Sequence, residues 1–480
     1  MGGSGGWYPA APPFGERGTV VMSGGSGPSD RRPGRAWPGM YVAFEVGAFR
    51  QLWLAVLSGN SGRFAVLLVA GWEAYRLGDH SSLWPSLVSM LLLVPSMFFG
   101  LLAGGVADRR NRARMAATGQ FINALACALG AVLVLSGQLG LGSLLGLTAL
   151  IGIGNSVQGP AWQAMIPGLV GPRRLLNASM ATRIAQQGAE LTGPALATVA
   201  LAAVGAAAAF GVCAGFYLVA LGLVWRLRHQ VQAPAGGATS QGILGPIREG
   251  VSYVRHQQPL GTLLLWVGLH CSLTMASVGI LPAVATANLH GDATAYGVLL
   301  TSFGLGSVFG PLLLMWLGGR VATVPTLVGS GVLSGLPLIS LGLIPVLWVA
   351  ILSAALAGGA QAVFMAAIYS ANQGRTVDPL RGRVASVQLS LTTGAMGLAS
   401  VGWGALVALV APGVVLAVPG ALFVVACVPF ALRSGRIRSA LTRPGIEPPS
   451  HGGHRGSASP AAGALLIGGA SGPPAAGKRG

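Results

Sequence analysis

The chain has 480 residues, 52% of them hydrophobic and only 8% charged, with a formal net charge of +18 and a mean hydropathy of +0.68. A water-soluble fold of this length would carry roughly a quarter of its residues as charges, so the main solvent of this chain is lipid. Its basic residues fall in short clusters between apolar runs, with no continuous basic face and no interleaved aromatics; this excludes nucleic acid as the expected partner and fits positive-inside membrane topology.

Residues 1–39 are rich in Gly, Ser, Pro and Arg without a continuous apolar core, and are predicted to be a disordered cytoplasmic tail rather than a signal peptide. Met40 is a candidate alternative start. Residues 40–228 form a first unit, in which apolar runs of about 20 residues, enough to cross a bilayer, predict helices over 52–75, 82–107, 115–137, 141–166, 178–204 and 207–226. Residues 229–259 interrupt the pattern with "GPIREGVSYVRHQQPL". There Ile247, Val251, Tyr253 and Val254 oppose Arg248, Glu249, Arg255 and His256, the pattern of a short amphipathic helix on the membrane surface. A second unit, 260–433, predicts helices over 260–284, 296–318, 324–343, 346–370, 384–410 and 413–432, and residues 434–480 form a second disordered, low-complexity cytoplasmic tail. The expected fold class is an all-α membrane protein with twelve transmembrane helices in two six-helix bundles.

The loops between these helices alternate in charge. Every second connection is basic: Arg109, Arg110, Arg112 and Arg114; Arg173 and Arg174; Arg226 and Arg228; Arg320; Arg375, Arg381 and Arg383; Arg433, Arg436 and Arg438. The opposite loops offer only Arg76. The positive-inside rule then predicts a multi-pass protein of the cell membrane with both termini cytoplasmic.

Lys478 is the only lysine among 29 basic residues, a bias expected of a bacterium with a GC-rich genome. It also removes the G-x-x-x-x-G-K-[ST] route to ATP hydrolysis, whose lysine must reach the phosphates. Cys127, Cys213, Cys271 and Cys427 lie inside apolar segments without metal-ligand spacing and read as small buried hydrophobes. No metal, cofactor or enzymatic activity is expected. A membrane enzyme would need a nucleophile, a metal set or a phosphate loop, and a receptor would need a folded sensory domain; outer loops of a few residues, apart from 285–295, offer neither.

The two halves echo each other. Pro172 to Ala178-Ser179 and Pro379 to Ala385-Ser386 both read P-x5-A-S, at equivalent places in the two units. Duplicated six-helix halves suggest a transporter with its substrate between them near mid-membrane.

"GGVADRRNRAR" (104–114) is similar to the major facilitator superfamily signature between helices 2 and 3, roughly G-x-L-A-D-R-x-G-R-[RK]. Gly104, Ala107, Asp108, Arg109 and Arg112 match, whereas Val106 replaces leucine and Asn111 stands where glycine is usual. Asparagine tolerates left-handed backbone, so a tight turn is expected there. "FRQLWLAVLSGNSGRFA", "GPAWQAMIPGLVGPRRLLNASMATRIAQQGAELTGPALA" and "IREGVSYVRHQQPL" resemble the transmembrane secretion effector branch, which holds the enterobactin exporter and macrolide-efflux proteins. The resemblance covers about residues 48–432. It implies alternating-access export of small amphipathic molecules, inward proton flow as the driving force, and function as a monomer. It makes Gly104, Asp108, Arg109 and Arg112 a conformational gate, with Asp108 meeting the positive N-terminus of helix 11 near Val384–Ser386. "NSVQG" (155–159) resembles the helix 4 pattern R-x-x-Q-G with Asn155 in place of the arginine associated with proton coupling. "GAELTGPALA" (188–197) resembles the helix 5 antiporter motif through Gly188, Gly193 and Pro194, with Ala189 and Ala197 replacing glycines. An importer of a small solute could use the same scaffold, but the few charges in these spans suit amphipathic cargo.

Three ionisable residues fall near mid-membrane: Arg63, about 16 Å into helix 1 at 1.5 Å per residue, Glu190 in helix 5 and His270 in helix 7. Charges at that depth normally face a cavity and find partners. Arg63 and Glu190 are therefore candidates to pair across the first-half cavity, with Glu190 carrying a proton or anchoring substrate and His270 facing them from the second half. A structural ion pair between helices 1 and 5, with His270 a packing residue, would explain the same positions. Glu73 reads as a solvated acid at the outer interface. Asn60, Asn123, Asn155, Gln158, Trp162, Gln186, Gln388 and Thr392 are candidates to line the path or to bond between helices.

Overall fold

The computed structural model describes residues 39–107, 111–230, 252–254, 257, 260–316, 324–376 and 380–432. Among these residues the chain forms helices and no strand. The helices are α1 Gly47–Leu77, α2 Leu83–Ala107, α3 Arg112–Leu135, α4 Leu141–Val170, α5 Leu175–Ala203, α6 Ala206–Leu227, α7 Leu260–Leu273, α8 Ala293–Trp316, α9 Val324–Leu343, α10 Leu347–Gln373, α11 Arg381–Leu406 and α12 Pro412–Leu432. Ten helical stretches are long and apolar enough to cross a membrane. α2 adds a shorter apolar stretch, Leu83–Phe98, and α5 is diluted by Arg183, Gln186, Gln187 and Glu190. The expected tails, 1–39 and 434–480, lie outside the described residues but for Gly39. So does most of the expected surface helix within 229–259, although residues 252–254 are helical and Val254 is buried.

Helices form because lipid offers the backbone no hydrogen bonds, and an α-helix satisfies its own. Their ends carry local signals. Asp292 Oδ1 accepts from the amides of Thr294 and Ala295 at 2.9 and 3.2 Å, capping the first turn of α8. Gly171, at φ 71° and ψ 170°, takes a conformation few side chains allow and turns the chain from α4 into α5. Leu129, Val132, Leu135, Trp316, Trp348 and Val425 are exposed. Such a belt would promote association in water, whereas in a bilayer it meets acyl chains.

The expected helix over 260–284 differs in detail. α7 ends at Leu273; the chain continues as a 3-10 segment Met275–Ile280, a short α turn Leu281–Ala283 and a π turn Val284–Asn288. This interruption seats Gly279 against Ser86 of α2, where a Cβ would come within 2.6 Å of Ser86 Oγ. These irregular helical turns are tolerated because most of their residues are buried in protein.

The buried apolar residues divide by depth. At the end of the bundle where α1 finishes and α8 starts, one cluster draws on both halves: Val66, Val69, Val88 and Tyr217 pack with Ile280, Val284, Tyr296 and Leu416. At the end that carries the arginine-rich loops there are two separate clusters. Phe49, Leu52, Met165 and Leu227 belong to the first half, and Leu263, Phe364, Phe423 and Phe430 to the second. The two bundles are sealed together at one end and have independent cores at the other. Tyr75 Oη and Thr286 Oγ1, 2.8 Å apart, and the stacked rings of Trp72 and Tyr296 close the sealed end.

Within the second half, α8 and α10 touch backbone to backbone. A Cβ on Gly306 would collide with the Ala355 carbonyl oxygen, and one on Gly310 would come within 2.6 Å of Gly359. Gly306→Val is expected to destabilise the purified protein by about 1–3 kcal/mol, the usual penalty of overpacking, read as a lower melting temperature in detergent.

Candidate transport path

Arg63 sits near the middle of α1 and Glu190 near the middle of α5. These helices approach closely because Gly193 faces Ser61: a Cβ there would collide with the Ser61 carbonyl oxygen. Ser61 Oγ and Thr192 Oγ1 are hydrogen-bonded at 2.6 Å beside that contact. Gly188 meets only Leu57 at ordinary van der Waals distance, and Pro194 is buried within the helix. Arg63 and Glu190 attract each other electrostatically, but among the described residues no ion pair of 4.0 Å or less joins them. The direct pair expected from the sequence is replaced by a looser arrangement. Arg63 Cζ lies 4.9 Å from the Phe64 ring centroid and lines a cavity of about 40 Å³ with Leu67, Leu92, Val278 and Met396, room for a few waters. Glu190 interacts electrostatically with the Ser307 hydroxyl of α8. That hydroxyl also donates to the Gly304 carbonyl at 2.9 Å, and Gln187 Nε2 donates to the Ser307 carbonyl at 3.3 Å. Glu190 thus stands on the seam between the two bundles.

The first half also contains a buried chain of amides. Gln120 Nε2 donates to Gln158 Oε1, Gln158 Nε2 donates to Asn155 Oδ1 at 2.9 Å, and Asn123 Nδ2 donates to the same oxygen at 2.9 Å. All four residues are buried, so the chain ties α3 to α4 where a signature arginine would otherwise stand. Gln158→Leu would leave Gln120 Nε2 without its acceptor and take one of two donors from Asn155 Oδ1. It is expected to cost about 1–3 kcal/mol for the stranded buried groups, measurable as a lower melting temperature.

The other candidates scatter. Asn60 and Thr392 bond to carbonyls of their own helices, Val56 at 2.8 Å and Leu389 at 2.9 Å. Trp162 is buried in the first-half cluster against Gly59, and Gln388 accepts from Asn372 at 2.9 Å inside the second half. Gln186 accepts from Arg183 at 3.3 Å. His270 does not face Arg63 or Glu190. It is fully buried, stacked on Phe364 at 4.1 Å and edge-on to Phe423 at 4.9 Å. Leu263, Trp266, Val267 and His270 recur at helical spacing on one buried face of α7, which carries His270 into the second-half core. Glu73 is also corrected: it is 3% exposed and paired with Arg76 at 2.6 Å, not a solvated acid. The four cysteines are free and buried.

Residues 39–442 match the profile of the transmembrane secretion effector family. The chain belongs to this family, a branch of the major facilitator superfamily. It is 30% identical over 318 residues to the enterobactin exporter EntS of Citrobacter koseri, covering 64% of this chain and 73% of that protein. In fold it is similar to a bacterial homologue of the human lysosomal transporter Spinster, solved inward-facing and unoccupied. The TM-score is 0.61 at 16% identity, over 85% of this chain and 99% of that one. A POT family transporter in complex with a thioalcohol-conjugated peptide gives a TM-score of 0.64 at 12% identity, over 82% and 97%. The family and the fold are those of transporters.

For a secretion effector, the signature loop after α2 is the expected gate. Gly104 lies within α2, while Asp108 and Arg109 fall outside the described residues. Arg112 Nη1 donates to the Ala164 carbonyl at 2.7 Å, tying α3 to α4. Asn111 does not adopt the left-handed turn expected of it. At φ −64° and ψ 112° it is the N-cap of α3, accepting from the Arg114 amide at 3.1 Å and donating to the Arg228 carbonyl at 2.9 Å. A polar cap does here what glycine would do by flexibility.

Sequence reasoning missed Gln120, Arg183, Ser307 and Tyr369. The spacing of Arg183, Gln187 and Glu190, at i, i+4 and i+7, was the available signal for a polar stripe on one face of α5.

Proposed function

We propose that the protein is a secondary transporter that exports small amphipathic molecules across the cell membrane by alternating access, coupled to inward proton flow. The observation that carries this reading is the asymmetry of the core: one buried cluster shared by both bundles at one end, separate cores at the other, and Arg63 with Glu190 between. With the arginine loops cytoplasmic, as the positive-inside rule assigns them, the bundles are parted toward the cytoplasm and ready to take cargo from inside. Kinship with the enterobactin exporter supports the outward direction, and the sparse charge of the spans suits amphipathic cargo. In this reading Glu190 carries the coupling proton, and the gate of Gly104, Asp108, Arg109 and Arg112 forms when the parted end closes.

The test is accumulation of fluorescent amphipathic compounds in cells with and without the gene, each with and without a protonophore. Expressing cells are expected to accumulate less, and the protonophore to erase the difference. Higher accumulation in expressing cells would establish import instead.

A further inference from the structure

Polar residues on α5 face the second bundle in one stripe. Thr198 meets Gly297 of α8, the Glu190 backbone meets Gly304, and Gln187 meets Ser307. One turn beyond Gln187, toward the parted end, the same face presents Arg183. Its guanidinium Cζ lies 5.0 Å from the ring centroid of Tyr369 on α10, in the opposite bundle. Arg183 is exposed and Tyr369 is 40% exposed, so this pair joins the two halves outside their buried cores. Among the described residues Arg183 has no acidic partner; its other contact is Gln186 Oε1 at 3.3 Å.

The charge balance along the path is uneven. Among the described residues, Glu73 and Glu190 are the acids within α1–α12, and Glu73 is paired with Arg76. Glu190 faces Arg63 from α1 and Ser307 from α8, and among the described residues no acid pairs with the guanidinium of Arg183. Both Arg63 and Arg183 lie over aromatic rings. A guanidinium on a ring keeps its other face and its N–H edge available, the face for a second aromatic group and the edge for a two-pronged bond to an anion. Arg183 is about 10 Å of helix rise from Glu190, and the apolar cavity beside Arg63, lined by Phe64, Leu67 and Leu92, lies farther along the path.

We propose that Arg183 and Tyr369 form a cargo subsite for anionic aromatic amphiphiles, which seat the anion on the Arg183 guanidinium and direct the apolar body toward Phe64. The proposal rests on the transport reading above and sharpens it to a cargo class. A cationic amphiphile of the same shape would meet a like charge at that point.

The test uses the full-length protein in detergent and two probes with one ring system and opposite charge, naphthalene-2-sulfonate and 2-naphthylmethylammonium, bound at equilibrium against a detergent-only blank. The sulfonate is expected to bind at least fivefold more tightly. Arg183→Gln should remove that preference while leaving ammonium binding unchanged or improved. Arg183→Lys should keep much of the preference, and Tyr369→Leu should reduce it. Equal binding of the two probes to the unmodified protein would overturn the proposal. So would an Arg183→Gln loss shared equally by both probes, which marks a strut between bundles, or a folded Arg183→Lys protein with no preference left. Binding is read without transport. Charge preference in a protein that does not export would sink the transport reading alone, and export without charge preference would sink this subsite alone.

Discussion

Glu190→Gln should lower energised export at least about tenfold, the equivalent of roughly 1.4 kcal/mol, and should flatten its dependence on external pH. The hydrogen bonds on the seam give the reason. The Ser307 hydroxyl has a single proton and donates it to the Gly304 carbonyl at 2.9 Å. As a carboxylate Glu190 can only accept from Ser307, in competition with Gly304 for that one proton, whereas a protonated Glu190 is itself a donor toward Ser307. Glutamine keeps the size of the side chain and always presents a donor, so it imitates the protonated state and cannot leave it. Arg63 is the one cation that faces Glu190 from α1, and its pull is released in the same step. If inward proton flow drives export as proposed, export by the unmodified protein should rise as the outside is acidified; in the glutamine variant, export should be low and level across the same range. Uptake and efflux in vesicles with an imposed pH gradient would show this. Unchanged export with an unchanged pH profile would end the proton-carrier reading. A lower melting temperature with the pH profile preserved would assign Glu190 to bundle packing alone.

How much of this could be read from the chain depended on the physics behind each feature. The helices were legible because lipid imposes a length and a composition on any spanning segment, and the observed boundaries fall within a few residues of the expected ones at α2, α4, α6, α9, α10 and α12. The break after Leu273 was not, since it goes with Gly279 seating on Ser86 across the bundles, a contact no local pattern encodes. The depth of Arg63 and Glu190 was legible from counting residues, but their facing was not. His270 shows the limit: counted to a similar depth, it turns with Leu263, Trp266 and Val267 into an aromatic core. Depth follows from position along the helix, whereas facing follows from phase. Among neighbours of similar hydropathy, phase is fixed by packing partners that the sequence does not name. Glu73 was misread for the same reason, because Arg76 one turn later lets it be buried as a pair.

Gly304→Val should abolish transport, by about 100-fold or more, in a protein that still folds and inserts. A Cβ at Gly304 would collide with the Glu190 carbonyl oxygen and lie within 2.5 Å of the Leu191 amide nitrogen, so both obstacles are backbone and neither can rotate away. They belong to the opposite bundle. Relief therefore requires α5 and α8 to separate along the seam, not a side chain to repack within one half. Small residues permit such close crossings in membranes, and on the alternating-access proposal this crossing lies between the parts that rock. Separation at this level also disturbs the sealed end, where Tyr75 reaches Thr286 and Trp72 stacks on Tyr296. The Gly304→Ala variant introduces the same Cβ with less bulk and should lose less activity than valine. Gly146→Val, placed where nothing lies within 4 Å, should behave as the unmodified protein. The contrast with Gly306→Val separates the two kinds of close contact. Gly306 packs inside one bundle, so its valine variant should lose melting temperature first, whereas the Gly304 variant should lose transport out of proportion to stability. Wild-type transport by Gly304→Val would mean that the α5–α8 seam is not a moving surface.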